Sequence, residues 1–187
     1  MELEKKIRAY IPYNEEERQD QKAALNYLER FDDILVRENE LVHVTSSSWI
    51  VNPDRTKVLM IYHNIYDSWS WTGGHADGDE DVLAVAIKEA KEETGVKEIR
   101  PVSEELYSLE LICVNGHWKR GQYVSSHIHL NTTFLLEASE EQSLLIKPDE
   151  NSGVEWVPIE EAISRSTEPW MQKIYTKLNK KLEEERW

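Results

Sequence analysis

Three glutamates, Glu89, Glu92 and Glu93, fall within the stretch GGHADGDEDVLAVAIKEAKEETGV, residues 73–96. Their spacing brings them together near the C-terminal end of one helix, because residues three and four apart are neighbours on a helical surface. Like charges at that spacing repel, and the negative end of the helix dipole adds to the cost. Nothing local favours the arrangement, so the compensating charge has to come from outside the helix. Lysines on other elements are one source, and a divalent cation is the other.

Placing side chains at about 100° per residue separates these two readings. Leu83, Ile87, Ala90 and Thr94 form one face, which Val82 and Ala86 widen on one flank. Glu89, Glu92 and Glu93 lie on that same flank, and Lys88 and Lys91 project from the other. A solvated charge face would lie opposite the apolar stripe, whereas this cluster grades into it, so the spacing predicts partly buried acids. Unpaired carboxylates in such a place are costly unless protonated or met by a cation. Hard ions with oxygen ligands fit best, Mg2+ first and Mn2+ as a second possibility. Asp79, Glu80 and Asp81 suit the start of this helix and Gly95 its stop.

The same residues resemble the Nudix hydrolases, whose pattern is G-x5-E-x7-R-E-U-x-E-E-x-G-U with U a bulky aliphatic. Gly74, Glu80, Glu89, Glu92, Glu93, Gly95 and Val96 occupy its fixed positions in one continuous stretch. Lys88 stands where the family has arginine, and Ala90 where it has a larger aliphatic. The resemblance implies an α/β/α sandwich around a mixed β-sheet, here with extra N-terminal and C-terminal helices. It also implies hydrolysis of the diphosphate linkage of a nucleoside diphosphate joined to another group X.

Carried over by position, Glu89, Glu92 and Glu93 with the backbone carbonyl of Gly73 are the expected metal ligands, and Glu89 and Glu93 are expected catalytic residues. Glu80 and Lys88 are expected to orient the helix through charge pairing, lysine keeping the charge of arginine without its planar fork. Members of the family also use an acid from outside the motif as ligand or base. Glu150, in a loop just before the strand pattern GVEWVP, is the candidate for that role, with Glu89 the other candidate base. An alternative from another class is a Nudix-fold nucleotide-binding or regulatory module with weak or no catalysis, for which Lys88 is the support. Residues downstream of the motif, SLELICVNG, carry neither the proline that resembles ADP-ribose hydrolases nor the tyrosine that resembles dinucleoside polyphosphate hydrolases, so X is not legible here.

Other side chains invite weaker readings. His127 and His129 alternate on a strand and share a face, which favours cross-strand packing over phosphate contact. His75 reads as loop structure. Trp118, Lys119 and Arg120 at a hairpin tip offer stacking and charge to a nucleotide, or only an exposed tip.

The elements that must position this chemistry are readable in outline. Asn14 and Glu17 form a capping-box pattern ahead of a stripe of Ala24, Leu28, Phe31 and Leu35. LVHVTSSSWIVN and KVLMIYH read as strands around an Asn52-Pro53-Asp54 turn. SLELICVNG and QYVSSHIHLNTTFLLEA read as a hairpin with an irregular tip. A helix near IEEAI and a last amphipathic helix carrying Met171, Ile174, Tyr175, Leu178 and Leu182 complete the pattern. The expected organisation is a single domain over 1–187, with a core at about 42–165, a helical extension at 1–40 and a C-terminal helix at 168–187.

Composition excludes several classes. Asp and Glu number 36 against 22 Lys and Arg, a net charge of −14, and no basic stripe suits nucleic acid. The lone Cys113, in an apolar run, forbids an internal disulfide or cysteine-based zinc cluster and reads as a buried strand thiol. No segment approaches the roughly 18 to 20 apolar residues of a membrane span, and MELEKKIRAYIPYNEEERQD has no signal-peptide core. The expected partner is a small nucleoside diphosphate derivative, with neither nucleic acid nor membrane, and the expected setting is the cytoplasm; oligomeric state is not legible.

Overall fold

The computed structural model describes residues 1–119 and 121–184. Two helices come first, α1 (Glu2–Ala9) and α2 (Glu15–Arg30). Strands β1 (Val42–Val51), β2 (Lys57–His63), β3 (Ser68–Ser70) and β4 (Thr72–His75) lead to the central helix α3 (Val82–Thr94). After it come β5 (Ile99–Pro101), β6 (Ser108–Val114), β7 (His117–Lys119), β8 (Gln122–Val124), β9 (His127–Ala138) and β10 (Asn151–Pro158). The chain then forms α4 (Ile159–Arg165) and α5 (Pro169–Glu183).

The principal sheet runs β10-β2-β1-β9-β5, with β3 on β2, β4 on β1 and β6 on β9. It is mixed: β1 and β9 are parallel, whereas β1 meets β2 and β4 antiparallel. One apolar core packs Val82, Ala86 and Ala90 of α3, with Leu3 and Ile7 of α1, against Val44, Ile50, Leu109 and Phe134. A second packs Met171, Ile174, Tyr175 and Leu178 of α5 against Trp49, Val51, Val58 and Leu135. Helices on both faces of a mixed sheet make the expected α/β/α sandwich.

The helix α3 sits very close to β1, and small side chains permit it. Ser46 Oγ donates to the carbonyl of Val82 (2.6 Å) and Ser48 Oγ to that of Ala86 (3.1 Å). Asp81 caps the helix by accepting the N–H of Ala84 (3.0 Å). Gly95 ends it at φ 77°, in the left-handed region that glycine adopts without penalty. A Cβ there would also meet Leu145 at 2.7 Å, so conformation and space both call for glycine.

Several expectations change. Helix α1 carries only Leu3 and Ile7 as a buried pair, too short a pattern to single out in the sequence. The apolar stripe of α2 outlasts its helix: Phe31 is an extended C-cap and Leu35 lies beyond it, both still packed on the core. His75 belongs to β4, not to a loop. Cys113 is exposed rather than buried, although it shares a face of β6 with Leu109 and Leu111, which pack on the core. The hairpin tip forms its own ribbon of β7 and β8; Arg120 and the Lys119 side chain lie outside the described residues.

Asn14 caps α2 through the Glu17 N–H (2.9 Å), but the Glu17 carboxylate does not complete the box. It is 1 % exposed and accepts from Tyr13 N–H (2.7 Å) and Ser108 Oγ (2.8 Å), while pairing with Lys177 of α5 at 2.7 Å. Burial opposes its ionisation, yet Lys177 and Lys181 more than offset this and hold the carboxyl below its usual range. Lys177 also pairs with Glu110 of β6 (2.8 Å), so the network ties α2, β6 and α5 together. Glu17→Ala leaves these lysines without their shared partner and is expected to lower stability by about 3–5 kcal/mol in chemical denaturation.

Candidate active site

Strand β4 lies beside β1 in the sheet with α3 packed over both, and two glycines make the fit possible. A Cβ on Gly73 would sit 2.5 Å from Ser47 Oγ, and one on Gly74 would sit 2.4 Å from the Glu89 carboxyl carbon. With neither present, the glutamates of α3 fold onto the strand. Glu93 is 2 % exposed, and its Oε2 accepts the N–H of Gly73 (2.9 Å). Burial pushes its carboxyl up to about 8 against the pull of that N–H, and the charges of Glu150 and Glu89 add to the rise. Glu89 is half-buried and raised for the same first reason, while Glu92 is exposed. The expected gradation of the cluster into the apolar face thus holds for Glu93 and Glu89, and Glu92 forms its outer edge.

Two lysines flank the acids. Lys88 Nζ stands 3.7 Å from Glu89 and 3.9 Å from Glu92, both long contacts from an exposed side chain. Lys147 pairs with Glu92 at 3.3 Å and with Glu150 at 2.9 Å, so one ammonium joins Glu150 to the helix cluster. The surrounding carboxylates of Glu150 and Glu92 outweigh the effect of burial and hold Lys147 above its usual range. Glu80 takes a different partner, accepting the backbone N–H of Glu2 (3.0 Å).

The loop bearing Lys147 and Glu150 is fastened to the end of α3. Asn151 Nδ2 donates to the Glu93 carbonyl (2.9 Å), and Leu145 N–H to that of Thr94 (2.8 Å). Lys147 and Asn151 went unread in the sequence, where KPDEN looks like any polar turn. The helix-end carbonyl that Asn151 serves is a tertiary matter, and only the universal need of such carbonyls for donors hinted at a partner.

A cleft of about 300 Å³ opens beside the acids, lined by Gly73, Gly74, Glu93, Thr45, Ser47 and Asn131 among others. Asn131 Oδ1 accepts from Thr45 Oγ1 (2.9 Å) and Ser47 Oγ (2.8 Å), and its amide donates to Glu110 (3.2 Å). This gives the cleft a polar, hydrogen-bonded floor. His127 and His129 share a face as expected, with their Nε2 atoms 3.1 Å apart, and both rings pack against His43. His75 joins them from β4. Trp118 is 72 % exposed and meets Tyr123 edge-on at 5.7 Å.

Glu89, Glu92 and Glu93 present hard oxygen donors, and the raised Glu93 carboxyl marks a place where negative charge lacks enough compensation, so the residues fit a divalent cation. Mg2+-type ligation through Gly73 would use its carbonyl, while its N–H is committed to Glu93. No helix among the described residues is long and apolar enough to cross a membrane.

Comparison with known proteins agrees with the geometry. The family profile described as the NUDIX domain matches residues 42–178. No curated protein matches the chain. Among solved structures, the C. elegans Ap4A hydrolase binary complex is similar with a TM-score of 0.54 at 19% identity, covering 74% of this chain and 96% of that one. The E. coli dihydroneopterin triphosphate pyrophosphohydrolase gives 0.54 at 16% identity, over 72% and 92%. The NUDIX domain of Shewanella oneidensis NrtR complexed with ADP ribose gives 0.54 at 17%, over 84% and 97%. At such identities the likeness is one of fold.

The buried carboxylate has a pH signature. Because the folded-state pKa of Glu93 is near 8, above the unfolded value, its contribution favours the fold at low pH and is lost as pH rises toward 8. In chelator, Glu93→Gln is expected to remove that component. The variant should gain on wild type between pH 5 and 8, by on the order of a few kcal/mol, in paired thermal melts across that range.

Proposed function

The chain belongs to the NUDIX family and is a Nudix-type diphosphate hydrolase, and on that premise we propose that it is Mg2+-dependent and cleaves the diphosphate linkage of a nucleoside diphosphate joined to another group X. One observation carries the reading: a nearly fully buried glutamate, Glu93, at the wall of a cleft and pinned by a backbone N–H, beside a second half-buried glutamate. Glu89, Glu92, Glu93 and the Gly73 carbonyl would hold the metal. When bound, a divalent ion supplies charge neutralisation at phosphate oxygens and lowers the pKa of a coordinated water.

The chain's own residues then divide the remaining work. Gly73 N–H fixes Glu93 in one orientation, and the bare Gly74 lets Glu89 lie flat against the strand. Glu89 and Glu150 are the candidates for proton acceptor. Glu150 is engaged by Lys147 at 2.9 Å, whereas Glu89 has only Lys88 at 3.7 Å and a carboxyl already raised by burial. A carboxyl raised by burial and without a close cation favours Glu89 as base. Glu150 then acts by holding Lys147 beside Glu92. The exposed aromatics Tyr66 and Tyr123, which line the wider part of the cleft, offer stacking surfaces for a base.

Incubation with nucleotide sugars, nucleoside triphosphates, dinucleotides and dinucleoside polyphosphates, with and without Mg2+ or Mn2+, tests the reading. Metal-dependent release of phosphate-containing products from a few of them is expected. Glu93→Gln and Glu92→Gln are each expected to lower kcat by on the order of 100-fold or more with far-UV circular dichroism unchanged. Undiminished turnover in both variants, or cleavage indifferent to metal, would overturn it.

A further inference from the structure

The histidines lie beside the acidic site and play no part in the chemistry just described. One ring nitrogen from each of His43, His75 and His129 lies within 4.8 Å of the other two, and no other trio of His, Cys, Asp or Glu among the described residues is gathered in this way. They come from three strands: β1 and β9 are paired in parallel with His43 opposite His129, and β4 brings His75 alongside through its pairing with β1. From these positions we propose that His43, His75 and His129 form a binding site for a borderline transition-metal ion such as Zn2+, distinct from the oxygen-rich glutamate site.

Hydrogen bonding fixes two of the three rings, His43 and His129, in the form a metal requires. His43 Nδ1 lies 2.9 Å from the Asn39 carbonyl, which can only accept, so Nδ1 carries the proton and Nε2 the lone pair. Asn39 is itself immobilised, since its side chain accepts from Val42 N–H (3.1 Å) and donates to Asp33 (2.9 Å). His43 is 4 % exposed, yet its Nε2 is buried with no hydrogen-bond partner. A buried acceptor without a partner is costly, and a cation in front of it removes that cost.

The next ring extends the pattern. His127 Nδ1 lies 2.8 Å from the Ser125 carbonyl, so it too is the protonated nitrogen. The Nε2 of His127 is then an acceptor, and His129 Nε2, 3.1 Å away, donates to it. The lone pair of His129 is left on Nδ1. Backbone carbonyls or other acceptors on the far side of ligating imidazoles are the usual means by which proteins fix the tautomer and raise ligand basicity. Here Asn39 supports His43, and His127 with Ser125 behind it supports His129.

The chemistry of the set selects the ion. Neutral imidazoles suit Zn2+, Co2+, Ni2+ and Cu2+, whereas Mg2+ dehydrates reluctantly and prefers oxygen. The two sites therefore sort cations by ligand type, carboxylates for the hard ion and imidazoles for the softer one. The nearest strong positive charge, Arg37, is engaged by Asp77, whose carboxylate accepts from Arg37 Nε at 2.7 Å, so it does not bar a cation. Three protein ligands leave a fourth tetrahedral position for water or a ligand oxygen. His75 and His129 line both parts of the cleft, so that position is reachable from the side where the acidic site lies.

The test uses the untagged full chain, stripped of metal and titrated with Co2+, whose visible absorption reports nitrogen ligation. With excess Mg2+ present to occupy the glutamate site, we expect one Co2+ per chain, displaced by Zn2+. Affinity should fall at least about 10- to 100-fold in His43→Gln, His129→Gln and His75→Gln, and remain unchanged in Glu92→Gln. His43 is buried, so the half-buried His75 and His129 carry the test if that variant does not fold, with circular dichroism confirming folding of each. Absence of the absorption, its survival in the histidine variants, or its loss in Glu92→Gln would overturn the proposal. The proposal is independent of the hydrolase reading, because Mg2+-dependent turnover in the panel above persists if only the histidine site is wrong.

Discussion

A carboxylate buried at the contact between a helix and a strand sets the conditions that the surrounding structure meets. Glu93 reaches the interior only because β4 supplies a backbone N–H at 2.9 Å and carries glycines where any Cβ would collide. The strand in turn can lie there only because α3 sits close against β1, with Ser46 and Ser48 satisfying helix carbonyls from below. A larger pair of side chains on β1 would lift the helix and withdraw the acid from the strand. Small residues in the middle of an otherwise apolar strand are thus part of how the acid is placed.

Charge balance around that acid is spread over several elements. Lys88 comes from the same helix, Lys147 and Glu150 from a loop that the end of α3 holds through Asn151 and Leu145. The loop has no strand or helix of its own there, and its position follows from donors offered to orphan carbonyls at a helix end. Stability and site geometry share these contacts: the groups that close the helix also bring a cation and an anion beside Glu92.

The cleft has two chemical halves. Carboxylates and a glycine-lined strand form one, and imidazoles from three strands form the other, with His75 two residues from Gly73 linking them in sequence. Parallel pairing of β1 with β9 sets Thr45 opposite Asn131 and His43 opposite His129, so the polar floor and the histidine cluster derive from a single register. Slipping that register by one residue would turn both away from the cleft.

The sequence alone settled what depends on local periodicity and on a motif of fixed spacing. The order of the main strands, the central and C-terminal helices, the caps Asp81 and Gly95 within the predicted ends, and the acids Glu89, Glu92 and Glu93 on one flank all follow from the 3.6-residue and 2-residue repeats. Tertiary structure decided what depends on partners distant in the chain: Glu17 drawn from its capping box to lysines of α5, Cys113 left exposed, His75 placed in a strand and Lys147 set against Glu92. It also decided that His43, unmarked in the sequence, meets His75 and His129. On β1 the polar side chains His43, Thr45 and Ser47 alternate with Val44, Ser46 and Ser48, and with serines on both faces the pattern marked no neighbour for either. Which neighbour it was depended on strand pairing across more than eighty residues, a distance at which local patterns carry no information.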